Sequence, residues 1–316
     1  MAYRILVTES MAEDGPDWLR AHGYEVKYGR GIEPKTLIED LQGCDGVIPR
    51  LAVMSDEVLS ACPQLKVVAR HGAGVDTVDL ESCKRLGIRV VNTRGSNSVA
   101  VAEHAMMLIL ACAKTLRSIE TLYRAGEFKK ARKNTKSVEI SEKTLGLLGY
   151  GHIGENIARM AHEGFRMRVL AYDPYAKKES LPNWMELTAD RDEIFREADF
   201  ISVHMASTEE TKGSIGKREF ALMKPTAFFI NTARGNLVDE SALADALQNG
   251  VIAGAGLDAT EPEPEDPNSP LFQMLNVILT PHCGGSTLES KKRSSLGAAI
   301  GCDEILTGKK PTSLVL

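Results

Sequence analysis

The chain has 316 residues, 43% hydrophobic and 26% charged, with a net charge of −5. That length asks for two domains rather than one core, and the lack of any basic block argues against nucleic acid or an anionic membrane as a partner. No apolar run nears the roughly 20 residues of a bilayer span, the start MAYRILVTES lacks a signal-peptide layout, and the six cysteines (44, 62, 83, 112, 283 and 302) form no CxxC pair, so a cytoplasmic chain without a zinc site or disulfide framework is expected.

Taken in chain order, short apolar runs at 5–7, 46–48, 66–69 and 89–91 read as strands, with helical patterns between them at 56–61 and 79–86. This alternation predicts a parallel sheet with crossover helices. The segment 99–117 (VAVAEHAMMLILACAKTLR) predicts one long helix, apolar nearly all round and so buried on most faces, at a domain or subunit interface. A second α/β series follows, with strands expected at 144–148, 168–172, 200–203, 226–231, 252–257 and 277–279 and helices at 153–162, 191–197 and 239–248. Six strands in this alternation match a dinucleotide-binding fold. The stretch 260–270, rich in proline and acid, reads as a loop.

The segment 144–154 reads TLGLLGYGHIG, which places Gly149, Gly151 and Gly154 in a G-x-G-x-x-G directly after a strand and before a helix. In such a loop the first glycine permits the turn, the second admits a pyrophosphate, and the third lets helix and strand pack closely. The amides of His152 and Ile153 would then face phosphate at the positive end of the helix. The next strand ends in Asp173, at the spacing of an acid that binds the adenosine ribose. Its charge opposes a 2′-phosphate, so NAD is expected over NADP, although Lys177 and Lys178 lie nearby. A second glycine pair, in RHGAGVD at 70–76, lacks the third glycine; its amides suit a small-anion nest or a plain strand-to-helix turn equally well.

Arg234, Glu263 and His282 follow three late strands, and ligands of open α/β sheets bind beyond the carboxyl ends of the strands. Arg offers a planar, permanently charged fork for a carboxylate and a carbonyl. A histidine can give or take the proton that accompanies hydride transfer, and a carboxylate beside its ring would fix the tautomer and favour the imidazolium. Singly, each has a plainer reading as a surface ion-pair or structural residue; together they form a catalytic set.

The ordered motifs RHGAGVD, NSVAVAEHAM, GLLGYGHIG, AYDP, EADFISVHMASTEET, NTARGNLVDESAL, AGLDATEPEP and PHCGGST resemble the D-isomer-specific 2-hydroxyacid dehydrogenases, nearest the phosphoglycerate dehydrogenase and hydroxypyruvate reductase branch. The resemblance implies an α/β fold of two Rossmann-like, doubly wound parallel-sheet domains with the active site in the cleft between them. Residues 1–97 and 287–316 would form a discontinuous substrate-binding domain, and 98–286 the NAD-binding domain. It makes Arg234, Glu263 and His282 the catalytic residues. It places Arg50, His71, Gly72, Ala73, Gly74 and Asn97 at the substrate, with Arg70 close by. His204, Met205, Thr232, Ala233, Asp258, Gly284 and Gly285 join the cofactor set, Asp258 holding the nicotinamide carboxamide. It also implies a homodimer through 99–117.

The implied reaction is hydride transfer between NAD(H) and C2 of a small D-2-hydroxy or 2-oxo acid such as 3-phosphoglycerate, hydroxypyruvate or glyoxylate. An alternative is an NAD(H)-sensing, corepressor-like protein on the same fold. The end at Leu316 is expected to leave no C-terminal regulatory domain. Two departures stand out: Ala206 replaces the usual proline two residues after His204, and His71 sits where small residues are commoner, which would narrow substrate choice. Glu261 rivals Glu263 as the acid, but the spacing from Asp258 and the following Pro264 fit the family pattern with Glu263.

Overall fold

The computed structural model describes residues 2–133, 136–263 and 266–316, so Pro264 and Glu265 of the acidic loop lie outside the described residues. The chain divides into two compact units, Met1–Asn97 with Ser286–Leu316, and Ser98–Gly285.

In the first unit the described residues form a sheet of five parallel strands: β1 (Arg4–Val7), β2 (Glu25–Tyr28), β3 (Gly46–Ile48), β4 (Val67–Arg70) and β5 (Arg89–Asn92), in the order β2-β1-β3-β4-β5. Successive side chains of a strand point to opposite faces, and both faces are buried here. Leu6, Val47, Val68 and Val90 pack with Leu37, Leu41, Val58 and Leu59 on one side. Ile5, Val7, Val67, Ala69 and Val91 pack with Leu19, Ala298, Ala299 and Cys302 on the other. The C-terminal helix Leu288–Leu306 thus completes this unit, lying against the helix Asp14–Ala21. Gly15 makes that approach possible, because a Cβ there would fall 2.4 Å from the Ser295 carbonyl oxygen.

In the second unit the described residues form a parallel sheet of seven strands: β6 (Thr144–Leu148), β7 (Arg168–Tyr172), β8 (Met185–Leu187), β9 (Phe200–Val203), β10 (Phe228–Asn231), β11 (Gly254–Leu257) and β12 (Val277–Leu279), ordered β12-β11-β10-β9-β6-β7-β8. Chain progression reverses between β6 and β9, the switch point at which open α/β sheets bind ligands. The sequence pattern anticipated six of these strands. It did not show β8, a three-residue edge strand with one exposed and one half-buried side chain.

The predicted helix 99–117 needs correction. A helix covers Ser98–Ala113 and packs against β10, β11 and the helix His152–Arg159. It then stops, because Thr115 takes a left-handed backbone (φ 48) and Leu116–Arg124 forms a separate helix bent 62° away. No glycine or proline announces that break. Likewise the helix expected at 153–162 is α-helical over His152–Arg159 and widens to a π turn over Met160–Gly164. Among the described residues no single helix is long and apolar enough to cross a membrane.

Candidate active site

The glycine loop follows β6. Gly149 takes φ 97, and a Cβ on it would lie 2.6 Å from the Met205 amide nitrogen. The loop is thereby pressed against His204–Met205 at the end of β9, across the switch point. A Cβ on Gly154 would meet the Gly149 carbonyl oxygen at 2.6 Å. Gly151 differs: its backbone is extended (φ −91) and a Cβ there would meet nothing within 4 Å among the described residues. Neither conformation nor packing within the chain requires glycine there, whereas a dinucleotide phosphate seated over the loop does. The helix begins at His152, and its first ladder bond runs from the Glu155 amide to the Gly151 carbonyl. The amides of His152 to Gly154 therefore stand ahead of the ladder, at the positive end of the helix.

Asp173 follows β7. Its carboxylate accepts the Tyr150 amide at 2.7 Å on one oxygen and the Tyr175 amide at 2.8 Å on the other. It ties the glycine loop to the next turn and still has acceptor capacity left. A cavity of about 650 Å³ opens beside it, lined by Tyr150, Glu155, Tyr175, Ala176, Lys177, Glu179, Leu181 and Pro182.

His204 and Met205 follow β9. The His204 Nε2 lies 2.9 Å from the Ser202 hydroxyl, its Nδ1 is buried without a partner among the described residues, and burial pushes the ring's pKa down to about 3. A neutral ring against the glycine loop adds no competing charge. Thr232 is buried and its hydroxyl has no partner among the described residues.

Arg234, Glu263 and His282 leave neighbouring strands β10, β11 and β12. Three contacts bind the loops together. The Asp258 amide donates to the Asn231 carbonyl at 2.9 Å, and the His282 amide donates to the Asp258 carbonyl at 2.8 Å. Gly235 packs against the loop after β11 so closely that a Cβ on it would overlap the Thr260 carbonyl at 2.0–2.1 Å. Within the first loop, Asn231 accepts the Ala233 amide at 3.0 Å and donates to the Arg234 carbonyl at 2.8 Å. The Arg234 guanidinium donates to the Ala233 carbonyl at 2.7 Å.

Glu263 and His282 meet directly. His282 Nδ1 lies 2.9 Å from both carboxylate oxygens. A carboxylate only accepts, so Nδ1 carries the proton and Nε2 is left to face a reactant. The pair is 43–44% exposed, open to a substrate. His282 itself sits at φ 49, a conformation that costs a non-glycine residue about 1–3 kcal/mol and that clusters at functional sites.

Asp258 lies beneath this pair, 3% exposed. Burial pushes its carboxyl pKa up, but hydrogen bonds from His104, Thr280 and the amides of Gly284 and Cys283 outweigh that and hold it well below the usual carboxylate range. The Thr280 hydroxyl is at 2.6 Å, the Cys283 and Gly284 amides at 2.9 and 2.8 Å, and His104 Nε2 is 2.9 Å from the same hydroxyl. Donor atoms of His104, Asp258 and Cys283 fall within 4.8 Å of one another, yet the carboxylate is already engaged by hydrogen-bond donors. One acceptor position of its second oxygen remains for a carboxamide NH₂. Gly284 leaves room for this, since a Cβ there would lie 2.9 Å from the Asp258 carboxylate. His104 and Asn231 were not singled out from the sequence. Their partners stand 176 and 3 residues away, and the only local signal is an unexpected polar residue in an apolar helix and at a strand end.

In the first unit, Arg50 and His71 follow β3 and β4. The His71 amide donates to the Pro49 carbonyl at 2.9 Å. His71 is 7% exposed and its Nε2 has no partner among the described residues, which costs about 1–3 kcal/mol unless a ligand completes it. Burial lowers its pKa, and the nearby Arg50 and Arg70 charges lower it further. Gly72 takes φ 144 with the Arg70 guanidinium packed where a Cβ would be. The Ala73 carbonyl accepts Asn92 Nδ2 at 2.6 Å; Gly74 and Asn97 are half-buried.

Comparison with known proteins agrees with this architecture. Residues 106–284 match the family described as "D-isomer specific 2-hydroxyacid dehydrogenase, NAD binding domain". The chain is 38% identical over 314 residues, 99% of its length, to a D-3-phosphoglycerate dehydrogenase of Methanocaldococcus jannaschii, and spans 59% of that relative. It is 36% identical over 324 residues to a glyoxylate reductase of Thermococcus gammatolerans, covering 100% of this chain and 96% of the relative. The solved structure of a D-lactate dehydrogenase from Treponema pallidum superposes with a TM-score of 0.86 at 29% identity, covering 99% of both chains. The chain belongs to the D-isomer specific 2-hydroxyacid dehydrogenase family and carries that family's NAD-binding domain.

Proposed function

We propose that the protein is an NAD-dependent oxidoreductase that interconverts a small D-2-hydroxy acid and its 2-oxo acid. The observation that carries this reading is the Glu263–His282 pair, 2.9 Å apart at the carboxyl edge of a sheet whose glycine loop is shaped for a dinucleotide. NAD would be held by the loop of Gly149, Gly151 and Gly154 with the amides of His152 and Ile153, by Asp173 at the ribose, and by Asp258 at the carboxamide, with His204, Met205, Thr232, Ala233, Gly284 and Gly285 lining it. When bound it supplies or accepts the hydride at C2. Arg234 grips the carboxylate and polarises the carbonyl; His282 Nε2 delivers the proton to the developing alkoxide, or removes it in oxidation; Glu263 holds the ring in the required tautomer. Ala73 and Gly74 offer amides, and Arg50, His71, Gly72 and Asn97 side chains or backbone, to the rest of the substrate. The half-buried Arg50 and the His71 Nε2, without a partner among the described residues, favour an acid with an anionic or hydroxyl group on C3, such as 3-phosphoglycerate or hydroxypyruvate, over glyoxylate.

The test is a panel of 2-oxo acids followed by nicotinamide absorbance with NADH and NADPH. Turnover with NADH is expected. Measurable NADH binding without turnover of any acid would instead favour a sensor. In the same assay Asp173→Ala weakens NADH and narrows the preference over NADPH by about tenfold or more, roughly one charge-assisted hydrogen bond; an unchanged preference would remove Asp173 from the ribose.

We further propose a homodimer formed through the helix Ser98–Ala113 and its continuation. An apolar groove of about 560 Å³ lies along it, lined by Met106, Met107, Leu110, Leu116, Met160 and Phe165, and the helix Leu116–Arg124 has no buried residue of its own. A monomer in sedimentation at micromolar concentration would refute this. The six cysteines, none in a disulfide among the described residues, suit the reducing cytoplasm we propose as its location.

A further inference from the structure

The carboxyl edge of the first unit's sheet carries a contact that neither the catalytic set nor the cofactor set uses. Strands β1 and β3 are paired in parallel, Val7 opposite Ile48, so the residues following both strands leave the sheet side by side. Glu9, two residues past β1, turns its carboxylate onto the segment past β3. It accepts three successive backbone amides, those of Arg50 at 3.1 Å, Leu51 at 2.5 Å and Ala52 at 3.1 Å. The Thr8 hydroxyl also donates to it. Successive amides that converge in this way form an anion-binding nest, and here the chain's own carboxylate fills it.

The consequence falls on Arg50. Its backbone is pinned by Glu9, while its guanidinium makes no hydrogen bond or ion pair among the described residues. The Arg50 charge acts on the ring of His71, whose buried Nε2 has no hydrogen-bond partner among the described residues. A fixed backbone under an uncompensated charge is the arrangement of a preorganised anion receptor. Because Glu9 consumes the three amides, recognition at this point is left to the side chain, whose fork suits phosphate or carboxylate.

We infer that Glu9 is a positioning residue for substrate recognition: by clamping the turn 50–52 it aims Arg50 at an anionic group on C3 of the substrate. The inference rests on the assignment of Arg50 to the substrate made above. The released amides of Leu51, a 60% exposed residue, and its neighbours can be met by water, so loss of the carboxylate loosens the turn without unfolding the unit.

The experiment measures KM and kcat for 3-phosphohydroxypyruvate and for glyoxylate in the parent, Glu9→Ala, Glu9→Gln, Arg50→Ala and the Glu9→Ala/Arg50→Ala double variant. Glu9→Ala is expected to raise KM for the phosphorylated acid about 10- to 100-fold, the penalty of a misplaced binding group, while kcat and the glyoxylate KM stay within about twofold. Glu9→Gln keeps a carbonyl oxygen for the amides and falls between. The double variant is no worse than Arg50→Ala, because both act through one group. Equal shifts for both substrates, or additive effects in the double variant, would mean that Glu9 only stabilises the fold and would overturn the inference. If Arg50→Ala changes the ratio of the two KM values and Glu9→Ala does not, this inference falls alone. If Arg50→Ala leaves the ratio unchanged, or the phosphorylated acid is not turned over, the assignment of Arg50 falls and this inference with it.

Discussion

Replacing His282 by Asn is expected to lower kcat/KM for 2-oxo acid reduction about 10²- to 10⁴-fold, the usual worth of a positioned proton donor, while NADH affinity stays within about twofold. Asparagine is the informative choice because it tolerates the left-handed backbone at φ 49 better than most residues, so the main loss is the transferable proton. The sign of the pH dependence follows from the direction of reaction. Reduction needs the ring to give a proton and oxidation needs it to take one, so the two directions respond to pH with opposite sign. Both responses should be lost in the variant. Glu263→Gln retains an acceptor for the Nδ1 proton and removes only the charge, so its loss should be smaller than that of His282→Asn. A variant lacking the His282 imidazole that kept the parent's pH profile would show that another group moves the proton.

How far this site can be read from sequence depends on how local its physics is. The glycine loop is legible because each glycine answers a separate local demand: a positive φ at Gly149, open space at Gly151 and backbone contact at Gly154. Asp173 is legible because strand length fixes its distance from that loop. Arg234, Glu263 and His282 stand out because each follows an apolar strand, and β10, β11 and β12 turn out to be neighbours in the sheet. What the pattern could not show were features set by distant partners or by weak local preference. The edge strand β2 (EVKY) has no buried residue, so no alternation marks it. The stop at Thr115 arises at a residue with no particular liking for a left-handed backbone. Glu9 and Arg50 are separated by 41 residues and His104 and Thr280 by 176, and only the folded chain brings each pair together. Gly235 reads in sequence as an ordinary turn glycine, yet its missing Cβ is what lets the Arg234 loop approach Thr260.

Arg234→Ala should be the most damaging single change at the carboxylate end of the substrate. Two charge-assisted hydrogen bonds at about 1.5–3 kcal/mol each amount to roughly 10²- to 10⁴-fold in kcat/KM. Arg234→Lys should recover little of this, since an ammonium keeps the charge but cannot reproduce the planar two-pronged contact. The effect separates from that of His282 by rescue: added guanidinium should restore part of the turnover of Arg234→Ala and none of that of His282→Asn, because only the former lacks a fork that a small cation can replace. Asn231 supplies the accompanying control. Its side chain bridges the Ala233 amide and the Arg234 carbonyl, so Asn231→Ala leaves the guanidinium present but releases its loop, and about tenfold or more of activity should go with it, this time without response to guanidinium. Turnover by Arg234→Ala at the parent's rate, or equal rescue of all three variants, would show that the carboxylate is held elsewhere.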